Sequence, residues 1–143
     1  VKVNARDMQR TLANLIHNAI KYSWTRPNAI KAPWITIELR TTEREVLFSV
    51  ENWGVPIPRD EIEDRLIFQL GYRGRLSQDR NRLGTGTGLT DALNTAQAHD
   101  GYIEATSLPA SSTAIRDETH PEYYRQPFLT TFTLHLPRLK SYR

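Results

Sequence analysis

The chain has 143 residues, 38% of them hydrophobic and 24% charged, with a net charge of +3 and no cysteine. This length accommodates one domain with a core of its own, expected to span 1–143. The absence of cysteine excludes disulfides and thiolate metal centres, and the small positive charge is too weak an argument for nucleic-acid binding. No apolar run approaches the roughly 20 residues of a membrane-spanning helix and no signal-peptide pattern opens the chain, so a cytoplasmic setting is expected. The first residue is Val1 rather than Met, as in a piece of a longer protein.

In chain order, "VKV" reads as a short strand. Asn4 is placed to cap a helix that carries Asp7 in its first turn and runs to about Ser23. Met8, Leu12, Leu15, Ile16, Ala19 and Ile20 fall on one side of it at 100° per residue. A proline-containing loop, "WTRPNAIKAP", follows. "WITIELR" (34–40) and "EVLFSVEN" (45–52) are rich in β-formers and joined by "TTER", a hairpin signal that ends the second strand at Asn52. "VPIPRDEIEDRLIF" sets Pro58 at a helix start with acids in the first turn. Residues 69–85 show no apolar period and read as a loop. "TGLTDALNTAQAHD" is helical, with Leu89, Ala92, Leu93 and Ala96 on one face, and Gly101 stands where a glycine stop belongs. "YIEATS" and "FLTTFTLHL" read as strands, separated by a polar stretch at about 108–127. A connection that long is usually functional or mobile.

Three stretches point to chemistry. On the first helix Asn14, Asn18 and Lys21 lie at i, i+4 and i+7, in one row opposite the apolar side. A solvated face is the ordinary explanation, but asparagine costs roughly 0.5–0.7 kcal/mol against alanine in mid-helix, and here it occurs twice. Amide oxygens suit Mg²⁺, a hard cation that prefers oxygen ligands, and a lysine suits phosphate as a point charge. The stretch "RNRLGTGTGLTDAL" places three of the chain's seven glycines within five residues. It lacks the Lys-Ser/Thr of a P-loop, and its spacing and preceding loop do not fit a dinucleotide fingerprint. It reads as a flexible segment feeding a helix N-terminus, where free N–H groups and the helix dipole favour an anion; a hinge without a ligand is the alternative. Upstream, Arg73, Arg75, Arg80 and Arg82 form either a solvated loop or a cationic lid over polyphosphate. In "SVENWGVPIP", Asn52 and Gly54 either make a turn or set a polar side chain at the mouth of a strand, where it reads a base edge.

Taken together and in this order, the motifs resemble the ATP-binding catalytic domain of bacterial sensor histidine kinases, within the superfamily that includes DNA gyrase. "NLIHNAIKYS" resembles the family's N box, "NWGVPIP" its first glycine box, "IFQLGYRG" its phenylalanine box and "GTGTGL" its second glycine box. "HDGYIEATS" and "TTFTLHLP" resemble the closing strands. The likeness covers about residues 1–107 and 128–137. It implies a two-layer α/β (α+β) sandwich of the Bergerat type, a mixed sheet backed by about three helices, with ATP and Mg²⁺ between the first helix and a lid at about 69–85. It further implies Asn18 as the Mg²⁺ ligand with Asn14 helping, and Lys21 and Arg73 at phosphate. Asn52 takes the adenine-reading position, Gly54 lines the base pocket and Tyr22 flanks base or ribose. Gly84, Thr85, Gly86, Thr87, Gly88 and Leu89 form the closing segment and the start of the next helix, and Phe68 anchors the lid. Asn52 stands where the family usually has Asp, Trp53 where it often has Asn, and Pro56 where it often has a second glycine.

The chain shows no helical hairpin bearing a phosphoacceptor histidine; His17, His99, His120 and His135 all read as structural or solvated. The resemblance therefore implies a protein-histidine kinase catalytic domain with little turnover alone. The partners it implies are a histidine-bearing dimerisation domain and a response-regulator receiver domain, and the setting it allows is the cytoplasmic part of a membrane-bound sensor. The alternatives are a degenerate nucleotide-sensing or protein-docking pseudokinase domain, or another ATPase of the superfamily.

Overall fold

A computed structural model describes residues 2–24, 34–76 and 87–139. Helix α1, Ala5–Lys21, opens on an Asn4 side chain that accepts from the Asp7 N–H at 3.1 Å. Its buried line is Thr11, Leu15 and Ala19, one i, i+4 row; Ile20, expected on the apolar side, is 58% exposed. Lys2 and Val3 lie outside any strand, contrary to the reading of "VKV". The helix also stops before Ser23. Tyr22 takes the C-cap position, and Ser23 leaves the helix to form an antiparallel bridge with Gly54.

Strands β1, Ile35–Thr41, and β2, Glu45–Gly54, form the expected hairpin. Thr42 holds its turn, accepting from the Glu45 N–H at 2.9 Å. β2 continues two residues past Asn52, because Asn52 and Gly54 pair with Thr130 and Phe128 of strand β4, Phe128–Pro137. Helix α2, Arg59–Glu63, is shorter than its sequence pattern. Arg65 turns left-handed at φ 58° and separates it from a 3₁₀ turn at Leu66–Phe68. Helix α3, Gly88–Ala98, leads to strand β3, Tyr102–Leu108.

The sheet order is β1-β2-β4-β3, and every pairing among the described residues is antiparallel rather than mixed. β2 and β3, joined through α2 and α3, do run parallel to each other. Because β4 inserts between them, that relation never becomes a hydrogen-bonded pairing. The helices cover one face: Leu15 and Ala19 of α1 and Ala92 and Ala96 of α3 bury against Val50, Ile103, Phe132 and Leu134. The other face is closed by polar cross-strand contacts, including Ser49 with Thr133 at 3.0 Å and His135 between the carboxylates of Glu104 and Glu45. The fold is thus the expected two-layer α+β sandwich.

The segment between β3 and β4 is organised by its own side chains. The Gln126 amide brackets Ile115, donating to its carbonyl at 2.7 Å and accepting from its N–H at 3.0 Å. Tyr123 is buried and packs edge-on against Phe128, and Glu118 pairs with Arg59 of α2.

Candidate functional site

A cavity of about 340 Å³ opens between α1 and the start of α3, within the size range of ligand pockets. The exposed side of α1 supplies Asn14, Asn18 and Lys21 to its wall, as the i, i+4, i+7 spacing requires, and Tyr22 at the helix end also lines it. Both asparagines are half-buried. Among the described residues neither side-chain amide has a hydrogen-bond partner, so their polar atoms are not used by the fold. The Lys21 ammonium lies 5.1 Å from the Tyr22 ring centroid, where the ring face stabilises the charge.

Across the cavity stands the N-terminus of α3, with Thr87, Gly88 and Leu89 in the wall. The Thr87 side chain does not cap the helix. A methyl group added at Gly88 would touch Asn14 at 3.7 Å, so the amide row and the glycine-led helix start face each other directly. Gly84, Thr85 and Gly86, together with Arg80 and Arg82, lie outside the described residues, as does most of the proline-containing loop after Trp24.

The floor comes from β2. Asn52 is 3% exposed, and its Nδ2 donates to the Ala19 carbonyl at 3.1 Å. Ser23 Oγ donates to the same carbonyl at 2.6 Å. One of the two N–H donors of Asn52 is committed there, which leaves its second N–H and its carbonyl oxygen. Gly54 is required by space rather than by backbone angle: a Cβ there would lie 2.7 Å from Asn52 Nδ2 and 2.9 Å from the Tyr22 carbonyl. Trp53 does not line the cavity and instead meets Trp34 edge-on at 6.3 Å, as alternation along a strand demands. Of the three departures from the family pattern, only Asn52 and Pro56 belong to the wall. Phe68 is buried in the core outside the cavity.

The site also contains residues that the sequence reading missed. Arg73, expected at phosphate, is joined in the wall by Tyr72 and Gly74, and α2 contributes Glu61. Glu61 is fully buried and one of its oxygens, Oε2, has no hydrogen-bond partner. Its sequence position, in the first turn of a helix, suggested only a favourable charge for the helix dipole. Burial, followed by the neighbouring Glu61 carboxylate, pushes the Tyr72 phenol above its usual range. His17, read as structural or solvated, borders the cavity, as do Thr130 and Phe132 of β4. His99 is structural as expected: it accepts from the Asn4 N–H at 3.0 Å and its other ring nitrogen meets the Thr95 carbonyl.

An antiparallel sheet with helices on one face thus holds a cavity between an asparagine-bearing helix and a glycine-led helix start, in an α+β domain. Residues 3–140 match the family model described as histidine kinase-, DNA gyrase B-, and HSP90-like ATPase, and the chain belongs to this family. It is 31% identical over 115 residues to the sensor histidine kinase MtrB of Mycobacterium leprae, covering 80% of this chain and 19% of that protein. It is 32% identical over 117 residues to the sensor histidine kinase WalK of Bacillus subtilis, covering 80% of this chain and 18% of that protein. The chain thus spans about a fifth of the length of these relatives. Among solved structures, the mycobacterial sensor histidine kinase MprB superposes with a TM-score of 0.72 at 20% identity, over 96% of this chain and 76% of that one. The catalytic domain of histidine kinase ThkA gives 0.63 at 22% identity, over 96% and 71%. No described helix is long and apolar enough to cross a membrane.

Proposed function

We propose that this domain binds Mg-ATP and presents the γ-phosphoryl group for transfer to a histidine on a dimerisation domain outside this chain, with a response-regulator receiver domain as the onward partner. The observation that carries this reading is the unpartnered pair of amides, Asn14 and Asn18, facing the N-terminus of α3 across one cavity. Two amide oxygens suit a magnesium ion that retains most of its waters, and bound magnesium supplies neutralisation of the phosphate charge. Lys21 and Arg73 meet phosphate oxygens, and the first-turn N–H groups of α3 donate to the remaining ones. In such transfers the protein's work is positioning and electrostatic stabilisation. The histidine and the receiver domain are inferred from the sensor-kinase relatives.

Base selection falls to Asn52. Its free carbonyl oxygen accepts from the exocyclic amine of adenine and repels the corresponding oxygen of guanine. The usual aspartate role thus survives, because the Ala19 carbonyl sets the orientation of the amide. The test is a calorimetric titration with ATP, ADP and GTP, with and without magnesium, followed by transfer to a supplied histidine-bearing domain. ATP should bind at least ~10-fold more tightly than GTP and only with magnesium, as a site built to hydrogen-bond one group rejects its reverse. In Asn52→Asp a carboxylate replaces the donor at Ala19. That variant should keep the preference for ATP but lose about 1–2 kcal/mol of stability. Equal affinity for ATP and GTP removes Asn52 from base reading. Binding without transfer favours the non-catalytic sensor.

A further inference from the structure

The cavity wall around Arg73 is held by a clamp that the motif reading does not contain. The segment from Phe68 to Arg75 is fastened at both ends. At one end the Phe68 carbonyl accepts from Thr90 Oγ1 of α3 at 2.8 Å. At the other, the buried Glu61 Oε1 accepts from the Arg75 N–H at 3.0 Å and forms an ion pair with Arg75 Nε at 3.4 Å. The guanidinium of Arg75 also forks onto Asp60, donating to its two oxygens at 2.9 and 3.1 Å. Consecutive acids on a five-residue helix thus hold one arginine by its backbone and its side chain together. Between the two fastenings the chain passes Gly71, whose φ is 77°, and delivers Tyr72, Arg73 and Gly74 to the cavity.

A carboxylate with no exposure and an orphaned oxygen is expensive to keep, since burial of charge is offset only by good partners. The fold could close α2 with an apolar residue at that position. What Glu61 provides instead is a directional acceptor for the main chain at Arg75, two residues beyond Arg73. The Asp60 fork restrains the same residue in a second direction, and bidentate pairs of this kind carry geometric specificity as well as energy. The Arg75 hydrogen bond holds the Asp60 carboxyl below its ordinary 3.8, so this arm is intact above that value and released as pH falls through the lowered one.

We propose that Glu61 and Asp60, through Arg75, are positioning residues that set the reach of Arg73 to the phosphate end of the cavity. This inference rests on the Mg-ATP reading. It concerns how the phosphate contact is held in place, because neither acid needs to touch the ligand.

The test compares the chain with Arg75→Ala, Arg75→Lys and Glu61→Gln in calorimetric titrations with Mg-ATP, and in NMR titrations with adenosine, which lacks phosphate. Arg75→Ala should raise the Kd for Mg-ATP about 10-fold while adenosine stays within about twofold, since a misplaced arginine costs only phosphate binding. Arg75→Lys, which keeps charge but not the fork, should fall between Arg75→Ala and the parent chain. Glu61→Gln should match Arg75→Ala; if burial makes it unfold, the half-exposed Arg75 variants carry the test. Equal loss for adenosine, or no loss for Mg-ATP, overturns the positioning role and leaves the functional reading standing. Failure of the parent chain to bind Mg-ATP removes the functional reading and this inference with it.

Discussion

Replacing Asn18 with alanine should abolish magnesium-dependent ATP binding while leaving the fold intact or slightly firmer. Asn18 lies in the last turn of α1, half-buried on the cavity side, and its amide has no partner among the described residues. Removing it therefore breaks no hydrogen bond of the folded chain. Alanine is the better helix former by about 0.5–0.7 kcal/mol, so thermal unfolding of the free chain should move up or stay level. The ligand effect runs the other way. On the proposed Mg-ATP reading, losing Asn18 as a metal ligand should raise the Kd for Mg-ATP by about 100-fold or more, equivalent to roughly 2.7 kcal/mol. Opposite signs in the two measurements separate a binding role from a structural one. Unchanged affinity in calorimetry would show that the metal is held elsewhere along the row, with Asn14→Ala the next variant to titrate.

Gly101→Ala is expected to be the most damaging single substitution for stability. A Cβ at this position would lie 2.1 Å from the carbonyl oxygen of His135, in the backbone of β4. No side chain can move aside to relieve that contact, so α3 or β4 must shift, at about 3 kcal/mol or more. A fall in Tm of about 10 °C should follow for a domain of this size. The neighbouring residue provides the control. Gly101 stands where a glycine stop belongs, and the residue that turns left-handed after α3 is Asp100, at φ 58°. The hydrogen bonds are those of a Schellman motif, from the Gly101 N–H to Ala96 at 2.8 Å and from the Asp100 N–H to Gln97 at 3.1 Å. Asp100→Gly should therefore stabilise, by up to about 1 kcal/mol. A neutral Gly101→Ala would show that the close approach of Gly101 to β4 is wrong, and a neutral Asp100→Gly that the left-handed turn carries no strain.

The local alphabet of this chain made its elements legible. Asn4 announces α1, the β-rich runs announce the hairpin and the closing strands, and the asparagine row is a matter of 100° per residue and needs no tertiary information. Element ends were less legible, because long-range partners decide them. β2 outruns Asn52 because β4 is there to pair with Gly54, and α1 stops early because Ser23 is drawn into a bridge with the same glycine. Left-handed Arg65 cuts the α2 pattern short, and no residue type at that position foretells it.

By itself the sequence determined which side chains α1 turns outward, that a glycine-rich stretch precedes α3, and the order in which these motifs occur; helical and strand periods are local properties, written residue by residue. Only the tertiary structure decided that the asparagine row and the start of α3 share one cavity, that the Ala19 carbonyl orients Asn52, and that Glu61 is buried beneath Arg75. Each of these depends on where distant segments meet once the sheet closes with β4 between β2 and β3. The burial of one carboxylate among many acids depends on that meeting, because the residue type and its neighbours in the chain are the same whether it faces water or the core.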